Sequence, residues 1–366
     1  MKDEIIITTI SDLHWGAPRI DNDKLYNELD KIFFKTLKKR KPDMIVIVGD
    51  LMDRKVSMNS DETSYANRFI HRLVVEFPDT YILLIHGTLS HDYMQLDAYK
   101  HYTGQKFRIY KTVTPDYIES LKLLIIPEEY YSDKSVYDKF LKLPKGDKKY
   151  DFVFIHGTFS HAGFSYSEHS KRNKIVFDYK DFSDNVYGRV NCGHIHTSSE
   201  YKNIDYNGSF SRWSHGEEDP KGFYIYTYNT KSRKLLNKEF IENTLAPTYK
   251  TIFYEHLPTD PKELYKLIKD YSDNVESLRI NLSSQFKIPE KEMIQIVDIA
   301  KQFDNVVLLK SKLAINIDDS NEEYIEELQE KLTKYHDKTF EEMTIMFAKE
   351  ELDKDITKDH IVDALS

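Results

Sequence analysis

The chain has 366 residues, 40% of them apolar and 31% charged, with a net charge of −9 and a single cysteine, Cys192. This composition fits two or three domains with a sizeable core and excludes disorder; the lone cysteine excludes an internal disulfide framework and fits a reducing cytosol. The negative charge argues against bulk attraction to DNA or to an anionic membrane, though bound divalent cations can still draw a polyanion, and no apolar run approaches the ~20 residues of a membrane helix.

The start, Met1-Lys2-Asp3-Glu4 followed by Ile5-Ile6-Ile7, lacks a signal-peptide pattern and reads as a first strand, so a soluble cytoplasmic protein is expected. Apolar, β-branched runs at Ile5–Ile10, Met44–Val48, Tyr81–Ile85, Leu121–Ile126 and Phe152–Ile155 predict strands. Helical spacing joins Leu25, Leu29, Ile32, Phe33 and Leu37, then Ala66, Phe69, Ile70, Leu73 and Phe77. The basic run Lys35, Lys38, Lys39, Arg40 and Lys41 closes the first of these helices, where cations complement the dipole, and reads as a solvated helix end. From about residue 186 the pattern is β-rich: Tyr187–Asn191, Tyr201–Asn207 and Phe223–Tyr228. The expected class is α/β, with helices packed on mixed sheets.

Pro247 marks a boundary. Beyond it a smaller α/β unit is expected: strand Tyr249–Tyr254, helix Pro261–Tyr271, strand Ser277–Leu282, helix Pro289–Phe303, strand Val306–Lys310. Asp318-Asp319-Ser320-Asn321 then caps a helix with Ile325, Leu328, Leu332 and Tyr335 on one face, followed by a segment carrying Phe340, Met343, Met346 and Phe347. The expected organisation is a catalytic domain over 1–245, an α/β cap over 246–318 and a helical tail over 319–366.

Five apolar runs lead into polar clusters: Ser11-Asp12-Leu13-His14, Gly49-Asp50-Leu51-Met52-Asp53, His86-Gly87-Thr88-Leu89-Ser90-His91-Asp92, His156-Gly157-Thr158 and Cys192-Gly193-His194-Ile195-His196. Ligands bind at the carboxyl ends of strands in open α/β sheets, so these loops can converge on one crevice. In an extended chain, residues two apart project to the same side, so Asp12 with His14, and His194 with His196, can each present two groups to one place. Imidazoles with carboxylates suit manganese, iron or zinc better than calcium or magnesium. Any one motif is weak evidence; all five together, in order, point to a metal site.

These motifs resemble those of calcineurin-like metallophosphoesterases. Within that superfamily the chain looks like the SbcD-type DNA repair nucleases, partners of SMC-like ATPases, and their phage recombination counterparts. The stretch from Tyr206-Asn207-Gly208-Ser209 through Arg212 and Glu217 to Lys221-Gly222-Phe223 is similar to the segment that follows the H-x-H in those nucleases. The resemblance is strong over residues 1–230 and weak after that.

It implies two divalent metals, most simply manganese. One would take Asp12, His14 and His196; the other His156, His194 and the residue standing for the family asparagine; Asp50 would bridge. Where the family usually reads G-N-H-D, this chain has Gly87-Thr88-Leu89-Ser90-His91-Asp92, and Ser90 is nearest the asparagine in register, with Thr88 or a water as alternatives. Two cations there would activate a water and clamp the phosphate for in-line attack. His91, beside Asp92, is the candidate general acid, and Arg212 and His161 are candidate substrate contacts. The resemblance also implies a DNA substrate (exonuclease on double-stranded ends, endonuclease on single strands), an SMC-like ATPase partner on the tail, a homodimer and no membrane. It places the protein in the cytoplasm of a bacterial or phage-infected cell. The competing readings are a phosphomonoesterase or nucleotide phosphodiesterase on the same domain, and a non-catalytic DNA- or partner-binding scaffold.

Overall fold

The apolar runs become the strands of two six-stranded sheets in a computed structural model that describes residues 2–18, 21–92, 94–104, 106–128, 150–160, 176–282 and 288–309. The first sheet contains β1 (Glu4–Ile10), β2 (Met44–Val48), β3 (Tyr81–Ile85) and β4 (Phe107–Tyr110), all parallel. The second contains β5 (Thr114–Ile118), β6 (Leu121–Ile126) and β7 (Phe152–His156); β8 (Thr158–Ser160) and β9 (Val176–Asp178) form a small separate pair. The second sheet continues with β10 (Val190–Gly193), β11 (Ser199–Tyr201) and β12 (Ile204–Tyr206), and β13 (Gly222–Asn229) and β14 (Lys234–Glu242) return to the first. The strand orders are β14-β13-β1-β2-β3-β4 and β11-β12-β10-β7-β6-β5.

Alternation within each strand sorts side chains into layers. Met44, Val46 and Val48 of β2 join Leu123, Ile125, Phe152 and Phe154 of the second sheet in one core. Ile45 and Ile47, on the other face, pack with Leu25, Phe33, Leu37, Phe69 and Leu73 from helices. The outer face of the second sheet buries Val153, Ile155 and Cys192 against Phe159, Phe177 and Phe182. This is the expected α/β class with mixed sheets.

The first helical pattern is α1 (Asn22–Glu28), a π-helical stretch (Leu29–Phe34) and α2 (Lys35–Arg40). The wider π turn lets the adjacent rings of Phe33 and Phe34 both enter the core, which a strict 3.6 spacing does not anticipate. α3 (Asp61–Glu76) is capped by the Ser60 hydroxyl, which accepts from the Thr63 N–H. The edge strands β4, β5 and β14 lay outside the sequence expectation. β14 is largely charged and polar, and β5 carries Pro115 and Asp116, so neither shows the apolar run of a central strand.

Residues Met1–Asn281 with Ile294–Leu308 form one unit, and Leu282–Met293 with Leu309–Ser366 a second. Residues 246–281 thus fall in the same unit as the two six-stranded sheets; the tail expected over 319–366 lies outside the described residues. No helix among the described residues is long and apolar enough to cross a membrane.

Glu28, at the end of α1, is 4% exposed. Burial pushes its carboxyl up to about 7, against the hydrogen bonds of Ser211 and Asn243 and the charges of Arg212 and Lys24. Between roughly pH 4.3 and 7 the folded chain therefore holds a proton that the unfolded chain has released. The contribution of Glu28 to stability is complete below that window and is lost as pH rises through it. The stability of Glu28→Gln relative to wild type should grow by roughly 2–3 kcal/mol from about pH 5 to about pH 8.5. Denaturant melts at the two pH values check this; a constant difference would contradict it.

Candidate metal centre

The carboxyl ends of β1, β2 and β3 in one sheet, and of β6, β7 and β10 in the other, carry the polar clusters. Asp12, His14, Asp50 and His194 all have left-handed backbones, with φ of 52°, 48°, 50° and 86°. Side chains rarely adopt this conformation, and a concentration of such residues marks a functional site. It also revises how the motifs work. Asp12 and His14 converge through successive left-handed turns, not as alternate residues of an extended strand, and His194 and His196 serve two adjacent groups instead of one.

Those groups are Asp12, His14 and His196; Asp50, His156 and His194; and His14, Asp50 and His91. Asp50 belongs to the last two, its Oδ2 3.5 Å from His14 Nε2, 3.2 Å from His156 Nε2 and 3.2 Å from His91 Nδ1, and His14 links them to the first. Asp12 Oδ1 lies 3.9 Å from both His14 Nε2 and His196 Nε2, and the Asp12 carboxylate accepts the His194 N–H at 3.1 Å. His14 and His156 are buried, whereas the side chains of His91, His194 and His196 are 27%, 20% and 31% exposed. The cluster therefore opens to solvent along those three rings. Glycines make the convergence possible: Gly49 has φ +82°, and a Cβ there would meet His156 Nδ1 at 2.1 Å.

A cation fits this donor set on the protein's own geometry. The His156 Nδ1–H donates to the Val48 carbonyl at 2.7 Å, since a carbonyl can only accept. In the neutral ring Nε2 then keeps its lone pair; it is buried and faces the oxygens of Asp50 and Glu128. Three acceptors facing one another need a positive charge between them, a proton or a metal. On the other side, Asp53 Oδ1 lies 3.3 Å from His14 Nδ1, which leaves His14 Nε2 to the cluster. Glu217, 3.7 Å from His196 Nδ1, does the same for His196.

The charges respond accordingly. Burial opposes ionisation of Asp50, but His156, His91 and His14 together hold its carboxyl well below the usual carboxylate range. Burial also opposes protonation of His91, but the Asp50 contact prevails and raises its pKa. Asp92 is fully buried; burial and then the nearby Asp50 push its carboxyl up to about 7. Both its oxygens accept backbone N–H groups, of Met52 at 3.1 Å and Gly87 at 2.8 Å, so it fixes the loops on either side of Asp50.

Three sequence expectations stand apart from the cluster. Ser90 is exposed on its turn; the loop's inward hydroxyl is that of Thr88, 3.2 Å from Asp50 Oδ2, because the two extra residues carry Ser90 away. The Arg212 guanidinium binds the Asp219 carbonyl through Nε at 3.2 Å and Nη2 at 2.7 Å, which ties it to backbone instead of the cluster. His161 lies outside the described residues. Two residues went unnoticed as site residues. Trp213 sets its ring 4.8 Å from His14 and 4.7 Å from His196, covering that side of the cluster. Glu128 reaches the other side, and its only sequence signal is its place two residues after β6.

Two mixed sheets flanked by helices, with histidines and aspartates gathered at their strand ends, are the architecture of a metal-dependent phosphoester hydrolase. The chain belongs to the calcineurin-like phosphoesterase family, whose model matches residues 5–277; such enzymes use two divalent metals. Similar solved structures include a phosphatase from Mycoplasma pneumoniae, 11% identical over 66% of this chain and 94% of that one, with a TM-score of 0.39. GAP50, the anchor in the inner membrane complex of Plasmodium, is 15% identical over 66% and 89%, with a TM-score of 0.39. The E. coli phosphoesterase YfcE is 12% identical over 65% and 100%, with a TM-score of 0.30. Among curated proteins nothing matches the chain.

Proposed function

We propose that this chain is a manganese-dependent DNA nuclease that hydrolyses phosphodiesters at a two-metal centre, as the catalytic partner of an SMC-like ATPase. The observation that carries the two-metal reading is the position of Asp50, one carboxylate shared between a group built on His14 and a group built on His156. Asp12, His14 and His196 would hold one ion, and His156 and His194 the other, with Asp50 common to both. The ions would supply an activated water and offset charge building on the phosphoryl oxygens. His91, beside Asp50 at the open edge, is placed to hand a proton to the departing sugar oxygen. Asp92 holds the loop that carries it.

DNA as substrate, with exonuclease action on double-stranded ends and endonuclease action on single strands, rests on the similarity of residues 206–223 to the segment following H-x-H in SbcD-type nucleases. So do the homodimer and the ATPase partner, which would dock on residues 319–366. Manganese is favoured over magnesium because imidazoles make up so much of the donor set.

The test is incubation of the purified full chain and manganese with labelled double- and single-stranded DNA beside a generic phosphomonoester. DNA cleavage that stops in chelator and returns with manganese is expected. Hydrolysis of the monoester alone would make the chain a phosphomonoesterase. Two bound ions with neither activity would make it a scaffold.

A further inference from the structure

Glu128 lies just beyond β6, and its side chain is 11% exposed. Its Oε2 lies 3.4 Å from His156 Nε2 and 3.4 Å from His194 Nδ1, the two imidazoles assigned above to the second ion. The same oxygen accepts the Thr88 hydroxyl at 2.5 Å. Thr88 also gives its backbone N–H to Asp50 Oδ1 at 2.6 Å, so one residue orients both carboxylates.

The spacing is informative. At 3.4 Å, both contacts exceed the usual 2.7–3.2 Å range of an N–H···O hydrogen bond. Donors that share one ion at about 2.1 Å stand roughly 3.0 Å apart when octahedral and roughly 3.4 Å apart when tetrahedral. Asp50 Oδ2 to His156 Nε2, at 3.2 Å, falls in the same range. Ser90, nearest in register to the missing asparagine, is exposed on its turn.

We infer that Glu128 is a ligand of the second metal, with Asp50, His156 and His194, and that a carboxylate from the end of β6 replaces the neutral amide that the G-N-H-D loop usually supplies. The inference rests on the two-metal reading. The exchange adds a negative charge to that half of the site, which should tighten its hold on a divalent cation and reduce its net positive charge toward a phosphate.

Metal content and manganese titration of the full chain test this without reference to turnover. Wild type should hold two ions. Glu128→Ala should keep one at unchanged affinity and bind the other at least about tenfold more weakly, and Glu128→Gln, which keeps the shape and a neutral oxygen, should fall between. Ser90→Ala should match wild type in both affinities. Paramagnetic resonance should change from a coupled manganese pair to an isolated ion in Glu128→Ala. Two ions at wild-type affinity in both Glu128 variants would overturn the assignment. Weakening in Ser90→Ala with none in Glu128→Gln would return the role to the loop. Fewer than two ions in wild type would instead overturn the two-metal reading itself.

Discussion

Asp50→Asn is expected to abolish turnover, by at least about 1,000-fold, and to weaken both metal sites together. The substitution keeps the side chain's shape, so the loss reports charge. Asp50 Oδ2 lies within 3.5 Å of His14, His91 and His156 alike. An amide there would present one neutral oxygen, or an N–H group aimed at the histidines. Removing a single ligand from one half of the site, as in His196→Ala, should by contrast loosen one ion and spare the other. Steady-state rates with metal titrations on the same preparations check both halves. Wild-type turnover in Asp50→Asn, or selective loss of a single ion, would contradict the shared carboxylate.

His91→Asn should lower the rate by about 100- to 10,000-fold, the usual worth of a general acid, while leaving metal content and DNA affinity near normal. Its ring stands 4.8 Å from that of His14 and its Nδ1 is 3.2 Å from Asp50, so it touches the cluster at the open edge. The same closeness makes it a competing ligand, and metal content separates the two roles. If His91→Asn sheds an ion, the residue binds metal. If both ions stay and a substrate with a better leaving group recovers most of the lost rate, the residue donates a proton.

The framework of this site was legible because buried parallel strands are continuous apolar runs. Met44–Val48, Tyr81–Ile85 and Leu121–Ile126 read in the sequence as they stand in the structure. β1, β2, β3, β7 and β10 each hand the chain to a polar cluster, so the clustered histidines and aspartates were also visible. What spacing misrepresents is backbone conformation: Asp12 and His14 look like alternate residues of a strand, but both sit at positive φ. Glu128 was hidden for a different reason. Glu128 belongs to none of the five polar clusters, and the neighbouring β7, paired in parallel with β6, brings His156 beside it. Ser90 misled because register was counted along the loop, whereas the two extra residues bulge outward and leave Thr88 facing Asp50.

Anomalous scattering at the manganese edge from crystals of the full chain grown with the metal tests the central claim most directly. Two peaks are expected, one among Asp12, His14 and His196 and one among His156, His194 and Glu128, with the Asp50 carboxylate between them. A single peak, or two that do not flank Asp50, would contradict a two-metal phosphoesterase centre.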